Sequence, residues 1–158
     1  MYKHILLPTD GSALSRQAVR SGILFAKNTG ATVTAIHVIP RQRQDLLEAW
    51  VHHDMHYVKR RQALFEKLAD EYLAFVANSA LAEGIPCSCK LIRAEDPYLA
   101  IVQAAERERC DLIFMASHGW REDTAQLLGS ETQKVLIHSK VAVLVYKPVA
   151  KPGAASPR

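Results

Sequence analysis

Asp111-Leu112-Ile113-Phe114-Met115-Ala116-Ser117-His118-Gly119 is an apolar run that ends on a glycine, and nine residues later Gly129-Ser130 opens a segment of helical period. An apolar run without polar alternation fits a strand covered on both faces, which is the pattern of a parallel sheet held between helical layers. Four further runs rich in β-branched residues, at 3–8, 32–39, 87–93 and 141–146, join 111–116 as expected strands. Segments of helical period separate them. Strands alternating with helices predict right-handed crossovers and an open twisted five-stranded parallel sheet, order 3-2-1-4-5, with helices on both faces.

The first helix is expected over about 15–28, with Ala18, Val19, Gly22, Phe25 and Ala26 on one stripe and Gly30 as its C-terminal stop. The second is expected from about Met55 to Gly84 and Pro86, with Leu64, Leu68, Tyr72, Phe75 and Ser79 repeating along it. The third begins near Pro97, a favoured first helical position, and buries Ile101, Val102 and Ala105. The fourth begins at Ser130 and carries Val135 and Leu136. Residues 41–56 form a long polar connection that includes Trp50. Residues 148–158, rich in proline and alanine, read as a disordered tail after a domain over 1–147.

A chain of 158 residues with 49% hydrophobic and 23% charged residues has the size and balance of one globular domain. Its net charge of +4 comes from basic residues interleaved with acidic ones, which makes nucleic-acid binding unlikely. No stretch approaches the roughly 18 apolar residues of a membrane span, and Met1 leads straight into a strand, so a cytoplasmic protein is expected. Cys87, Cys89 and Cys110 make no disulfide framework and fall short of a zinc set; Cys87 and Cys89 share one face of a strand as reduced residues. His52-His53-Asp54 with His56 offers too few side chains for a closed metal site and reads as solvated connection.

In a doubly wound sheet, ligands bind beyond the carboxyl ends of the strands where the order reverses, here between the first and fourth strands. The first strand runs out into Pro8-Thr9-Asp10-Gly11-Ser12, and the fourth into Ala116-Ser117-His118-Gly119. Gly119 and Gly129 admit close backbone approach, and the start of the helix at Ser130 offers amides and a positive dipole end, an arrangement suited to a polyphosphate. Asp10, Ser12 and Ser130 are equally good helix caps. No Gly-x4-Gly-Lys-Ser/Thr loop is present, and no catalytic base stands out, so efficient hydrolysis is not expected.

These segments together resemble the universal stress protein family, whose nucleotide-binding members carry Gly-x2-Gly-x9-Gly followed by Ser or Thr. The corresponding residues are Ala116, Gly119, Gly129 and Ser130, and the likeness extends to residues 2–12, His37-Val38, residues 115–119 and Val143-Leu144-Val145. The resemblance implies an adenine nucleotide alpha-hydrolase-like, Rossmann-like fold and a regulator that binds ATP, alone or with Mg²⁺, with at most slow hydrolysis. It implies that Pro8 and Thr9 border the nucleoside, that Asp10 accepts ribose hydroxyls or a metal-bound water, and that Val38 packs on adenine. Ala116, Ser117, His118, Gly119, Gly129, Ser130, Glu131 and Thr132 would surround ribose and phosphates, chiefly through main-chain amides. It also implies a homodimer through the fifth strand, at Val141, Val143, Leu144 and Val145. Ala116 replaces the first glycine of the motif. If that residue is extended, as strand ends are, its methyl matters only where backbone meets ligand; if it needs positive φ, it costs about 1 to 2 kcal/mol. Glu122 and Asp123 add negative charge to the loop, so the alternative is a stress protein without nucleotide that acts through protein partners.

Overall fold

The computed structural model describes residues 1–41, 55–118 and 128–148. Along them run β1 (His4–Pro8), α1 (Ala13–Thr29), β2 (Thr32–Pro40), α2 (Met55–Ala82), β3 (Cys87–Ala94), α3 (Pro97–Arg107), β4 (Leu112–Ala116), α4 (Ser130–His138) and β5 (Ala142–Tyr146). The five strands form one parallel sheet in the order β3-β2-β1-β4-β5, as the alternation of periods predicts. Most of the polar connection lies outside the described residues, and its last two, Met55 and His56, begin α2.

β1 is the centre of the molecule. Its Ile5, Leu6 and Leu7 are wholly buried, and the period of two sends them to opposite faces. Ile5 and Leu7 join one core with Val19 and Ile23 of α1 and Leu73 and Val76 of α2. Leu6 joins the other, with Ile101 and Val102 of α3 and Val135 of α4. α1 starts where the Ser12 side chain accepts the Ser15 amide, and it ends at Gly30, left-handed at φ 70°, whose amide returns to the Ala26 and Lys27 carbonyls. Gly22 lets α1 close on the sheet: a Cβ there would stand 2.6 Å from Leu7 Cδ2.

α2 differs from its expected stripe. Its buried residues are Val58, Ala69, Leu73, Val76 and Ala80, while Leu64 is 55% exposed. Two causes combine. A repeat of four drifts around a helix of 3.6 residues per turn, and the small residues Ala69 and Ala80 join Leu73 and Val76 in the buried seam. Leu68, Tyr72, Phe75 and Ser79 flank that seam half-buried. Phe75 is covered by the guanidinium groups of Arg16 and Arg20, 5.2 and 5.5 Å from its ring centre.

The three cysteines are free thiols, with Cys87 half-buried, Cys89 exposed and Cys110 buried. Burial, reinforced by Glu108 and Asp111, pushes the Cys110 thiol up to about 12. Among the described residues, no helix is long and apolar enough to cross a membrane.

Candidate functional site

β1 and β4 pair at Ile5 with Leu112 and at Leu6 with Ile113, after which β1 continues to Pro8 and β4 to Ala116. The two strands carry crossovers to opposite faces, so their connections diverge and leave a cavity of about 650 Å³ beyond their carboxyl ends. That volume lies in the range of small-molecule sites.

One wall is the turn from β1 into α1. The Thr9 amide donates to the Ile36 carbonyl at 2.9 Å, which continues the sheet for one residue. Thr9 Oγ1 and Ser15 Oγ lie 2.9 Å apart, and the Gly11 amide reaches the same Thr9 oxygen at 3.3 Å. Asp10 Oδ1 accepts the Ser12 amide at 2.9 Å, a bond that holds the carboxylate at the cavity edge. Gly11 has φ +76°, and a Cβ on it would stand 2.2 Å from Tyr72 Cε1. The turn is therefore pressed against α2. His37 braces it from β2: Nδ1 lies 2.7 Å from the Thr9 carbonyl, which can only accept, so that nitrogen carries the proton. The imidazole also meets the Tyr72 ring edge-on, with centres 5.3 Å apart.

The opposite wall is the end of β4 with the start of α4. Ala116 is the last residue of β4 and has no positive φ, so the substitution for glycine carries no left-handed backbone cost. Its carbonyl accepts Thr132 Oγ1 at 3.1 Å. The first α4 amide known to reach a carbonyl one turn back is that of Gln133, which donates to Gly129 at 2.9 Å. The amides of Ser130, Glu131 and Thr132 precede it in the first turn, where amide groups point out of the helix start. All three residues line the cavity. The Glu131 side chain is turned away to the neighbouring helix: Oε2 accepts the Tyr98 amide at 2.7 Å in the first turn of α3, and Oε1 holds Lys134 Nζ at 3.0 Å. The carboxylate is thus engaged by an exposed ion pair and by the start of α3.

Between these polar walls the lining is apolar. Ile36, Val38 and Ile39 contribute from β2, Phe65, Leu68 and Tyr72 from α2, and Met115 and Ile101 from beneath. The cavity is amphipathic. One end suits a flat apolar group and the other an anion.

Nine residues singled out from sequence meet here: Pro8, Thr9, Asp10, Val38, Ala116, His118, Ser130, Glu131 and Thr132. Ser117 and Gly129 stand behind the wall instead. Ser117 is 2% exposed. Its amide donates to the Tyr146 carbonyl at 2.9 Å and its carbonyl accepts the Gly129 amide at 2.7 Å, while its hydroxyl pairs with His118 Nδ1 at 3.1 Å. Gly129, at φ −68°, uses an ordinary backbone conformation. Gly119 lies outside the described residues, as do Glu122 and Asp123. Phe65, Leu68 and Tyr72 are wall residues that the sequence did not mark as such, because an apolar residue lining a cleft has the same period as one in the core. Among the described residues no three His, Cys, Asp or Glu side chains are grouped to hold a metal. His52 and His53 fall outside the described residues, and His56 is exposed at the start of α2.

These features define a doubly wound α/β domain with an amphipathic cavity at its switch point. The profile of the universal stress protein family matches residues 1–147. The universal stress protein MJ0531 of Methanocaldococcus jannaschii is 30% identical over 153 residues, which is 93% of this chain and 83% of that one. The solved structure of protein MJ0577, from the same organism, superposes with a TM-score of 0.79 at 27% identity and covers 96% of this chain and 99% of its own. A universal stress protein solved in complex with cAMP shares the fold, with a TM-score of 0.62 at 21% identity over 92% of this chain and 96% of that one. The chain belongs to the universal stress protein family.

Proposed function

We propose that this protein binds ATP with Mg²⁺ in the switch-point cavity and acts, as a cytoplasmic homodimer, as a nucleotide-responsive regulator in stress. The observation that carries the reading is the pairing of a carboxylate, Asp10, with the first turn of α4 across one amphipathic cavity. Adenine would lie on Val38 in the apolar end, bordered by Pro8 and Thr9. Asp10 would take the ribose hydroxyls or a magnesium-bound water. The main chain of Ser130, Glu131 and Thr132 would receive the phosphates, and His118 and Gly119 would join them around the ribose and phosphates. Ser117 and Gly129 would act from behind, by fixing the backbone of that turn. The domain would span residues 1–147, with 148–158 as a tail. No lysine or unpaired base faces the phosphate end among the described wall residues, which supports binding without efficient turnover.

Thermal melting with Mg-ATP tests this. A ligand at one hundred times its Kd stabilises by about 2.7 kcal/mol, a rise in Tm of roughly 5 to 10 °C for a domain of this size. The shift should shrink in Asp10→Ala. No shift, together with no nucleotide retained in the purified protein by mass spectrometry, would discard the reading. A second reading is a family member that acts through protein partners alone; the internal use of the Gly129 amide favours it. Strong binding by the parent excludes that alternative.

A further inference from the structure

The main-chain bonds of β2 alternate in direction. Thr32 and Ile36 bond toward β1: the Thr32 amide donates to the Lys3 carbonyl and the Ile36 carbonyl accepts the Thr9 amide, each at 2.9 Å. Val33 and Arg41 bond toward β3, through amides that donate to the Pro86 carbonyl at 3.0 Å and the Ala94 carbonyl at 2.8 Å. Even-numbered residues of β2 therefore turn their amide and carbonyl toward β1, and odd-numbered ones toward β3. By that alternation both groups of Val38 point to the β1 side. There β1 has ended at Pro8, the chain has turned off into α1, and Val38 lines the cavity.

In a parallel ladder the bond that follows Thr9 amide to Ile36 carbonyl is Val38 amide to Thr9 carbonyl. Among the described residues that bond is not made, and the Thr9 carbonyl is taken by His37 Nδ1 at 2.7 Å. The His37 side chain lies on the α2 face of the sheet, where Val33 and Ala35 precede it at intervals of two. The Tyr72 ring meets it edge-on at 5.3 Å and itself lies against Gly11, which fixes the imidazole over the end of β1.

We infer that His37 is a positioning residue for the ligand: by taking the Thr9 carbonyl it keeps the last rung of β2 open to the cavity. Thr9 is 6% exposed, so its carbonyl needs a donor from the protein. The imidazole supplies that donor from the side. Val38 is left with an amide and a carbonyl side by side, a main-chain pair suited to a planar group whose edge carries an acceptor next to a donor. This role rests on the nucleotide reading above, since adenine has such an edge. Without the ring donor, the Val38 amide is the next donor along the ladder to the Thr9 carbonyl. The rung then closes on the protein itself and is lost to the ligand.

Amide exchange of the ligand-free full chain, followed by NMR, reads the rung directly, and calorimetry with Mg-ATP reads the ligand. In the parent the Val38 amide should exchange more than about tenfold faster than the amides of Ile36 and His37, which lie inside the ladder. In His37→Leu, which fills a similar space without a donor, the Val38 amide should slow to the rate of its neighbours. Mg-ATP should then bind about tenfold more weakly. His37→Asn, whose side-chain amide donates from near the position of Nδ1, should restore both. A protected Val38 amide in the ligand-free parent would overturn the inference without any variant. So would a Val38 amide that stays open in a folded His37→Leu, or undiminished ATP affinity in a variant whose amide is protected. A parent that binds no ATP would instead strike the nucleotide reading, and the exchange rates would still decide whether His37 holds the rung open.

Discussion

Gly11 is the residue on which the shape of the cavity turns. Its left-handed φ and its contact with the Tyr72 ring each exclude a side chain. An alanine costs about 1 to 2 kcal/mol from the backbone alone, and displacing the ring adds a further 1 to 3 kcal/mol of the kind found on overpacking. Gly11→Ala is expected to lower the unfolding free energy, read from urea titration, by that combined amount. It should also weaken any ligand that uses Asp10, because the same turn carries both residues. A loss confined to about 1 to 2 kcal/mol would mean that Tyr72 swings aside without cost and only the backbone term remains. Tyr72 itself was visible in the sequence only as one apolar position in a helical repeat. Its neighbours in space, Gly11 and His37, come from other elements, and no local pattern announces such a meeting.

Among the elements, β1 begins where Asp111 holds it. The carboxylate accepts the Lys3 amide at 2.8 Å and the His4 amide at 3.0 Å, just before β1 pairs with β4. Burial opposes ionisation there, but bonds from the Lys3, His4 and Asp111 amides outweigh it, so the group is held below its ordinary value of 3.8. A depressed carboxylate contributes stability that is complete above its unfolded value and is lost as pH falls through the folded one. Asp111→Asn should therefore destabilise near neutrality and flatten the acid limb of the stability curve below about pH 4, followed by denaturant midpoints over a pH series. The effect is modest because the carboxylate is largely solvated. Equal acid limbs in parent and variant would assign the pH dependence to other carboxylates. The strands themselves were legible to within a residue or two, because Val and Ile runs between glycines and prolines have few other uses. The C-terminal stop at Gly30 was legible for the same reason. The seam of α2 was not, because Ala69 and Ala80 carry little hydrophobic weight in a sequence yet are what lets a helix approach a sheet. Glu131 was legible as a residue at the start of α4, but its bond to the Tyr98 amide depends on how α3 and α4 lie side by side, which no single segment encodes.

For the whole molecule, the order of the sheet leaves β5 with one edge unpaired among the described residues. Val143 and Leu144 pack inward on opposite cores, and the strand stays half-exposed. An apolar parallel edge of this kind is a template for a second copy, and a homodimer paired along β5 is expected. Val145→Lys places a charge on that edge without removing a residue from either core. It should yield a monomer by sedimentation at micromolar concentration with an unchanged far-UV spectrum; a variant that still sediments as a dimer would move the interface elsewhere.

Ser117 gives its amide to Tyr146 at the end of that edge strand and its carbonyl to Gly129 at the mouth of α4. A single residue thus tethers the start of α4 on one side and the outer margin of the sheet on the other. Any shift of the turn toward a bound anion must either stretch a 2.7 Å bond or carry the margin with it. Were a ligand to move that turn and a second copy to pair along β5, the two events would be linked, each changing the other's affinity by the same factor.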